Sequence, residues 1–133
     1  MAGHGPADRT WSNTAGGAFE DTGNWVGGLV PGTNDNAVFS ANASYPVAFA
    51  GSATNANAHF FAPGGTVSLD IGADNLYYVT LFRLQNDPGA ASVDLTSGAL
   101  SAYKVYLGDW AAHNGNRLTV KNPGTTVTTR NDD

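Results

Sequence analysis

Two series of alternating apolar residues recur in this chain at a near-constant spacing, and few folds accommodate that. The first series reads Thr66-Val-Ser-Leu-Asp-Ile-Gly72, then Ser92-Val-Asp-Leu-Thr-Ser-Gly98, then Arg117-Leu-Thr-Val-Lys-Asn-Pro-Gly124. Val67 and Leu69 return 26 positions on as Val93 and Leu95, and a further 25 on as Leu118 and Val120. In the second series Val79 and Leu81 return 26 positions on as Val105 and Leu107. Apolar residues two apart share one face of a strand. A fixed period of this length marks a stacked coil, where each turn of chain covers the apolar side of the one before. The expected fold is all-β, a short right-handed parallel β-helix of about four coils, with these ten residues buried. A β-sandwich or jelly roll is the alternative, since short strands at regular intervals also suit it.

Composition agrees with strands and turns. Seventeen glycines stand beside one Glu and six Lys plus Arg, so the charged surface of soluble helices is missing. The 133 residues suit one domain. A net charge of −5, with the basic residues scattered in sequence, argues against nucleic acid or an anionic membrane as partner. No apolar run reaches the ~18 residues that span a bilayer. Cysteine is absent, so neither disulfides nor thiolate sites hold the fold. Met1-Ala-Gly-His-Gly-Pro6 shows no secretory signal. The chain is therefore expected to act where it is made, to leave by lysis, or to be a trimmed piece.

Along the chain, residues 1–9 are expected to form a flexible arm and 10–133 a single β domain. Within it, 10–39 should act as an N-terminal cap, 40–129 as the coils and 130–133 as a tail. The cap region is dense in glycine and holds a few large rings, Trp11, Phe19 and Trp25. Such rings suit a plug over one end of the core, because each buries much apolar area.

Trp11-Ser-Asn13, Gly23-Asn-Trp25, Val30-Pro-Gly32 and Asp35-Asn-Ala-Val-Phe39 together resemble the opening of bacterial β-solenoid surface proteins of the autotransporter-associated strand repeat type. Leu107-Gly-Asp109 and Leu118-Thr-Val120 are similar to coil repeats of that family. Openings of this kind also resemble those of phage virion surface proteins. The resemblance runs from Trp11 onward. It implies a surface scaffold or adhesin and brings no catalytic residues with it.

No catalytic constellation stands out, and no enzyme activity is expected. His4, His59 and His113 lack the paired spacing of a zinc site. Glu20 and Asp21 are adjacent in a glycine-rich loop, whereas a glycosidase sets two carboxylates roughly 5 to 10 Å apart across a cleft. Asp70 and Asp94 are expected to stack on one solvent face, with Lys121 near enough to relieve their repulsion. No cofactor is expected; calcium at the Asp/Asn loops is the lesser alternative. Trp110, Asn114 and Tyr103 are the candidates for contact with a glycan or partner.

A short solenoid leaves core and backbone groups open at any end that is not plugged. Leu118, Val120 and Val127, in the last coil, form the expected oligomer or docking end. The expected function is a non-catalytic structural protein of a surface assembly, a phage capsid decoration (cement) protein or fibre module. It would be a homo-oligomer, with a trimer favoured, attached to a larger lattice such as a capsid and located on the virion surface. The alternative is a carbohydrate-binding or adhesin module from a secreted β-solenoid, extracellular or on the bacterial cell surface.

Overall fold

The computed structural model describes residues 7–61, 64–85, 90–108 and 115–130. Its regular structure is nearly all strand, wound through about five turns of a β-solenoid. Its strands are β1 (Asp8–Thr10), β2 (Gly17–Ala18), β3 (Asn36–Phe39), β4 (Tyr45–Ala48), β5 (Ala53–Thr54) and β6 (Asn57–Phe60). They continue as β7 (Thr66–Asp70), β8 (Leu76–Leu84), β9 (Ser92–Ser97), β10 (Ala99–Leu107), β11 (Arg117–Val120) and β12 (Thr126–Thr129). One sheet runs β1-β3-β6-β8-β10-β12, with β5 also on β8, and the other runs β11-β9-β7-β4-β2. All strand pairings among the described residues are parallel. A chain that visits each sheet in turn, always in the same direction and one strand further along, is a coil and not a jelly roll.

The winding has about five turns where four were expected, because the capping region is itself a turn. Its strands pair into both sheets, β1 on β3 through Asp8↔Asn36 and β2 on β4 through Gly17↔Val47. Among the described residues the first strand therefore begins at Asp8, inside the stretch expected as a loose arm. Asn36 Nδ2 donates to Asp8 Oδ1 at 2.8 Å, and Arg9 lies 3.7 Å from Asp35, which ties this edge down.

The first repeat series sits as its period requires. Val67, Val93 and Leu118 are in register, as are Leu69, Leu95 and Val120. The second series does not. Val79 pairs with Ala102 and Leu81 with Lys104, each partner lying three positions before the one the period selects. Val105 pairs instead with Phe82, and Leu107 with Leu84. The reason lies in the burial pattern of β8. Tyr77, Val79, Phe82 and Leu84 are buried, so the alternation slips at Thr80-Leu81, and Leu81 is only half-buried. The slip divides the larger sheet into two arms: β5 pairs with Tyr77-Tyr78 before it and β6 with Leu81 to Leu84 after it. Apolar residues two apart say which face they share, but not where a strand turns a corner.

Asp70 and Asp94 do not stack either. Asp94 opposes Ser68, and a bulge after Leu69 sets Asp70 against Ser97, whose hydroxyl donates to the Asp70 carboxylate. Lys121 does reach the expected place, 2.9 Å from Asp94.

Stacked turns close one corner of the coil at Gly72, Gly98 and Gly124, each with positive φ (100°, 81° and 88°). Gly98 is the tightest, since a Cβ there would lie 2.6 Å from Gly72 O and from the Ile71 side chain. Inside, aromatic rings continue from turn to turn. Phe39, Phe60 and Phe82 follow one another at 4.8 and 4.9 Å, and Phe19, Phe49 and Tyr77 at 4.5 and 5.0 Å.

Candidate functional site

The two ends of the solenoid differ, and the difference begins with residue type. At the N-terminal end, glycine-rich chain between β2 and β3 makes two short 3-10 turns, Thr22–Asn24 and Val26–Gly28. Asp21 caps the first by accepting from Gly23 N at 3.0 Å. These turns carry Trp25 back to form an isolated antiparallel bridge with Trp11. The two indoles meet edge to face at 5.2 Å, and Trp25 meets Phe19 at 5.3 Å. Trp11, Phe19 and Trp25 are all buried, as expected of a plug.

Their polar atoms are satisfied too. Trp11 Nε1 donates to Asn13 O at 2.7 Å and Trp25 Nε1 to Phe19 O at 2.8 Å. Asn24, also buried, donates to Ala18 O and accepts from Asn13 Nδ2, both at 2.8 Å. Glu20 accepts from Ala50 N at 2.9 Å, lacing the plug to the next turn. This end is closed.

At the other end, β12 pairs only with Ala99 to Ala102, so the second half of β10 has no later strand beside it among the described residues. Strand β11 is the last of its own sheet. Core side chains are consequently uncovered. Leu107 is 48% exposed and Val120 46%, whereas Leu118, Val127 and Val105 are partly buried against the core. These residues were expected inside, apart from Val127, which was placed with Leu118 and Val120 at the docking end. Leu107 and Val120 keep the inward phase of their strands but have no next strand beside them among the described residues. Arg130 fastens the final strand: its guanidinium lies 3.8 Å from the centre of the Tyr78 ring, and its Nη2 donates to Val79 O at 2.9 Å.

Three of the six basic residues belong to this last turn. Residues 115–133 hold Arg117, Lys121 and Arg130 against Asp132 and Asp133, a net +1. Residues 7–36 at the plugged end hold Asp8, Glu20, Asp21 and Asp35 against Arg9, a net −3. Asp132 and Asp133 lie outside the described residues. The plugged end also carries Val26 and Leu29, 60% and 53% exposed, which sequence reasoning missed. Their signal was a pair of apolar residues stranded among glycines, with no strand phase to draw them inward.

Of the three candidates for glycan contact, Trp110 and Asn114 lie outside the described residues. Tyr103 is half-buried in β10, with Lys104 Nζ 5.4 Å from its ring centre. Nearby, Arg83 lies 5.5 Å from the ring of Tyr106 and donates to Gln85 Oε1 at 2.6 Å. His59 pairs with Arg83 across β6 and β8, and its Nε2 is buried without a hydrogen-bond partner among the described residues. Burial and then the Arg83 charge hold this imidazole below its ordinary pKa, with Asp8 opposing them. His4 and His113 lie outside the described residues. Among the described residues no group of three or more His, Cys, Asp or Glu side chains comes together to hold a metal. A dent of about 220 Å³ between stacked turns is lined by Thr96, Ser97, Asn122 and Thr125 among others, with no charged side chain.

Searches against protein-family models, curated proteins and solved structures returned no match.

Proposed function

We propose that this chain is a non-catalytic structural module of a surface assembly, and that its last turn is where it docks. The observation behind this is the asymmetry of the two ends, one sealed by Trp11, Phe19 and Trp25, the other leaving Leu107 and Val120 half exposed beside strand edges β11 and β12. Exposed core side chains cost free energy in water at about 25 cal/mol per Å², which a partner surface recovers. Unpaired edges also invite another chain. A virion shell or fibre is the setting proposed for such a module, with the chain as a decoration protein or a fibre unit on the virion surface. The sequence resemblance to β-solenoid surface proteins points the same way.

The alternative is a glycan-binding or adhesin module, resting on Tyr103 and the neighbouring Lys104 on the outer face of β10. Sedimentation velocity across a wide concentration range separates the two, combined with a glycan array. Assembly that Val120→Lys abolishes, with no glycan retained, is the expected result. A chain that stays monomeric, and binds a glycan through Tyr103 so that Tyr103→Ala abolishes it, would replace the proposal with the alternative.

A further inference from the structure

We infer that the occupant of the open end is the plugged end of a second copy, so that chains stack head to tail. This rests on the docking role proposed for the last turn and names the partner. Among the described residues, four of the six large apolar side chains that stand out into solvent lie at the two ends: Val26 and Leu29 at the plugged end, Leu107 and Val120 at the open one. A lone docking end would need only the second pair. Two apolar patches at opposite ends of one coil are what a heterologous contact between identical chains requires.

Charge selects the same arrangement. By sequence, residues 1–36 sum to −3, and residues 115–133, with Asp132 and Asp133 counted, sum to +1. Two plugged ends brought together would oppose like charge, whereas two open ends would do so only weakly. A plugged end against an open end sets opposite charges face to face, and this favours both encounter and register. Part of the basic charge is already engaged, since Lys121 pairs with Asp94 and Arg130 lies on Tyr78. Arg117 is exposed in β11 and is the cation best placed to meet acids of the next copy.

The direction of the chain also fits. Strands β1 and β2 begin the two sheets and β11 and β12 end them, all running parallel. Stacking along the coil axis therefore preserves strand direction across the junction. A heterologous contact along a straight axis does not close, so the product is an open series and not a closed ring.

The test uses the full chain and two variants at exposed positions, Leu29→Lys at the plugged end and Val120→Lys at the open end, each checked for native circular dichroism. Wild type is expected to sediment as a concentration-dependent series that shortens as salt rises. Each variant alone is expected to be monomeric, with self-association weakened at least tenfold. Mixed together, they retain one intact plugged end and one intact open end, and should form a one-to-one dimer that grows no further. Three outcomes overturn the inference. If Val120→Lys leaves association unchanged, the open end is not the interface and the proposed function falls with the inference. If Val120→Lys abolishes association but Leu29→Lys does not, the open end docks by a different geometry and only the stacking is wrong. If wild type is monomeric throughout, the partner is not a second copy.

Discussion

Single residues divide here into those the coil satisfies and those it leaves at odds with their surroundings. The hydroxyls of Tyr45 and Tyr77 form a natural pair for comparison. Tyr77 is fully buried and donates to Asn55 Oδ1 at 2.6 Å, while the Asn55 amide donates to Pro31 O at 3.0 Å and Gly32 O at 2.8 Å. Tyr45 is buried against Trp11, stacked at 6.2 Å, but its hydroxyl has no partner among the described residues. Burial pushes its pKa up to about 12. Removing the bonded hydroxyl strands a buried acceptor, whereas removing the unbonded one relieves a desolvation cost. Tyr77→Phe should therefore lower stability by about 1–3 kcal/mol, and Tyr45→Phe should leave it unchanged or raise it, as read by urea denaturation. His59 belongs with Tyr45. Its folded-state pKa lies below the ordinary 6.5, chiefly through burial. The folded state thus binds fewer protons than the unfolded one, and the contribution of neutral His59 is present above pH 6.5 and lost as pH falls toward its lowered pKa. Melting curves from pH 7.5 to 5 should fall less steeply for His59→Gln than for wild type, and equal slopes would remove the imidazole from the account.

At the scale of the element, the two sheets show what a period can and cannot reveal. The strands of the smaller sheet were legible because each holds one unbroken alternation. Val67, Val93 and Leu118 stack as their spacing implies. Strands β8 and β10 were misread because each crosses a corner. The slip at Thr80-Leu81 puts Phe82 inside where the period placed Leu81, and draws each pairing partner three positions closer in sequence. Sequence periodicity records phase within a strand, and a corner resets that phase without any glycine or proline to announce it. The corner at Gly72, Gly98 and Gly124 was visible as turn residues of the kind that accept positive φ, and all three adopt it. Two substitutions separate packing from backbone. Leu95→Ala removes a side chain buried between Leu69 and Val120 and should cost on the order of 2–5 kcal/mol. Gly98→Ala adds only a methyl, yet it must hold φ near 81° with its Cβ 2.6 Å from Gly72 O. It should destabilise by more than the ~1 kcal/mol by which the same change stabilises a permissive site, because both strain and overlap act there. A neutral Gly98→Ala in thermal unfolding would mean that the corner relaxes freely.

For the whole molecule, stability in a solenoid is a sum over turns and the contacts between neighbouring turns, so its ends set where opening begins. The plugged end was readable because Trp11, Phe19 and Trp25 announce themselves by size. The open end was readable as the lack of any such group after Leu118, although the exposed pair Val26 and Leu29 on the plug was not foreseen. A coil sealed at one end and open at the other should open from one direction. In dilute solution the amides of β11 and β12 should exchange hydrogen fastest. The strands β7 to β9, with the Ala99 to Ala102 part of β10, are flanked by a turn on each side and should exchange slowest. Amides held in the plug, such as Trp25 N on Thr22 O at 3.2 Å and Phe19 N on Ala48 O at 2.8 Å, should lie closer to the interior than to the last turn. Trp25→Ala removes the central ring of the plug and should cost roughly 3–5 kcal/mol. It should also bring β1 and β2 into the fast-exchanging class, so that opening then proceeds from both ends. Raising the protein concentration should slow exchange in β11 and β12 of the wild type while leaving β7 to β9 as they were. Interior-like protection of β11 and β12 in the dilute monomer would mean that the last turn is stable without a partner, and the asymmetry would then have no energetic consequence.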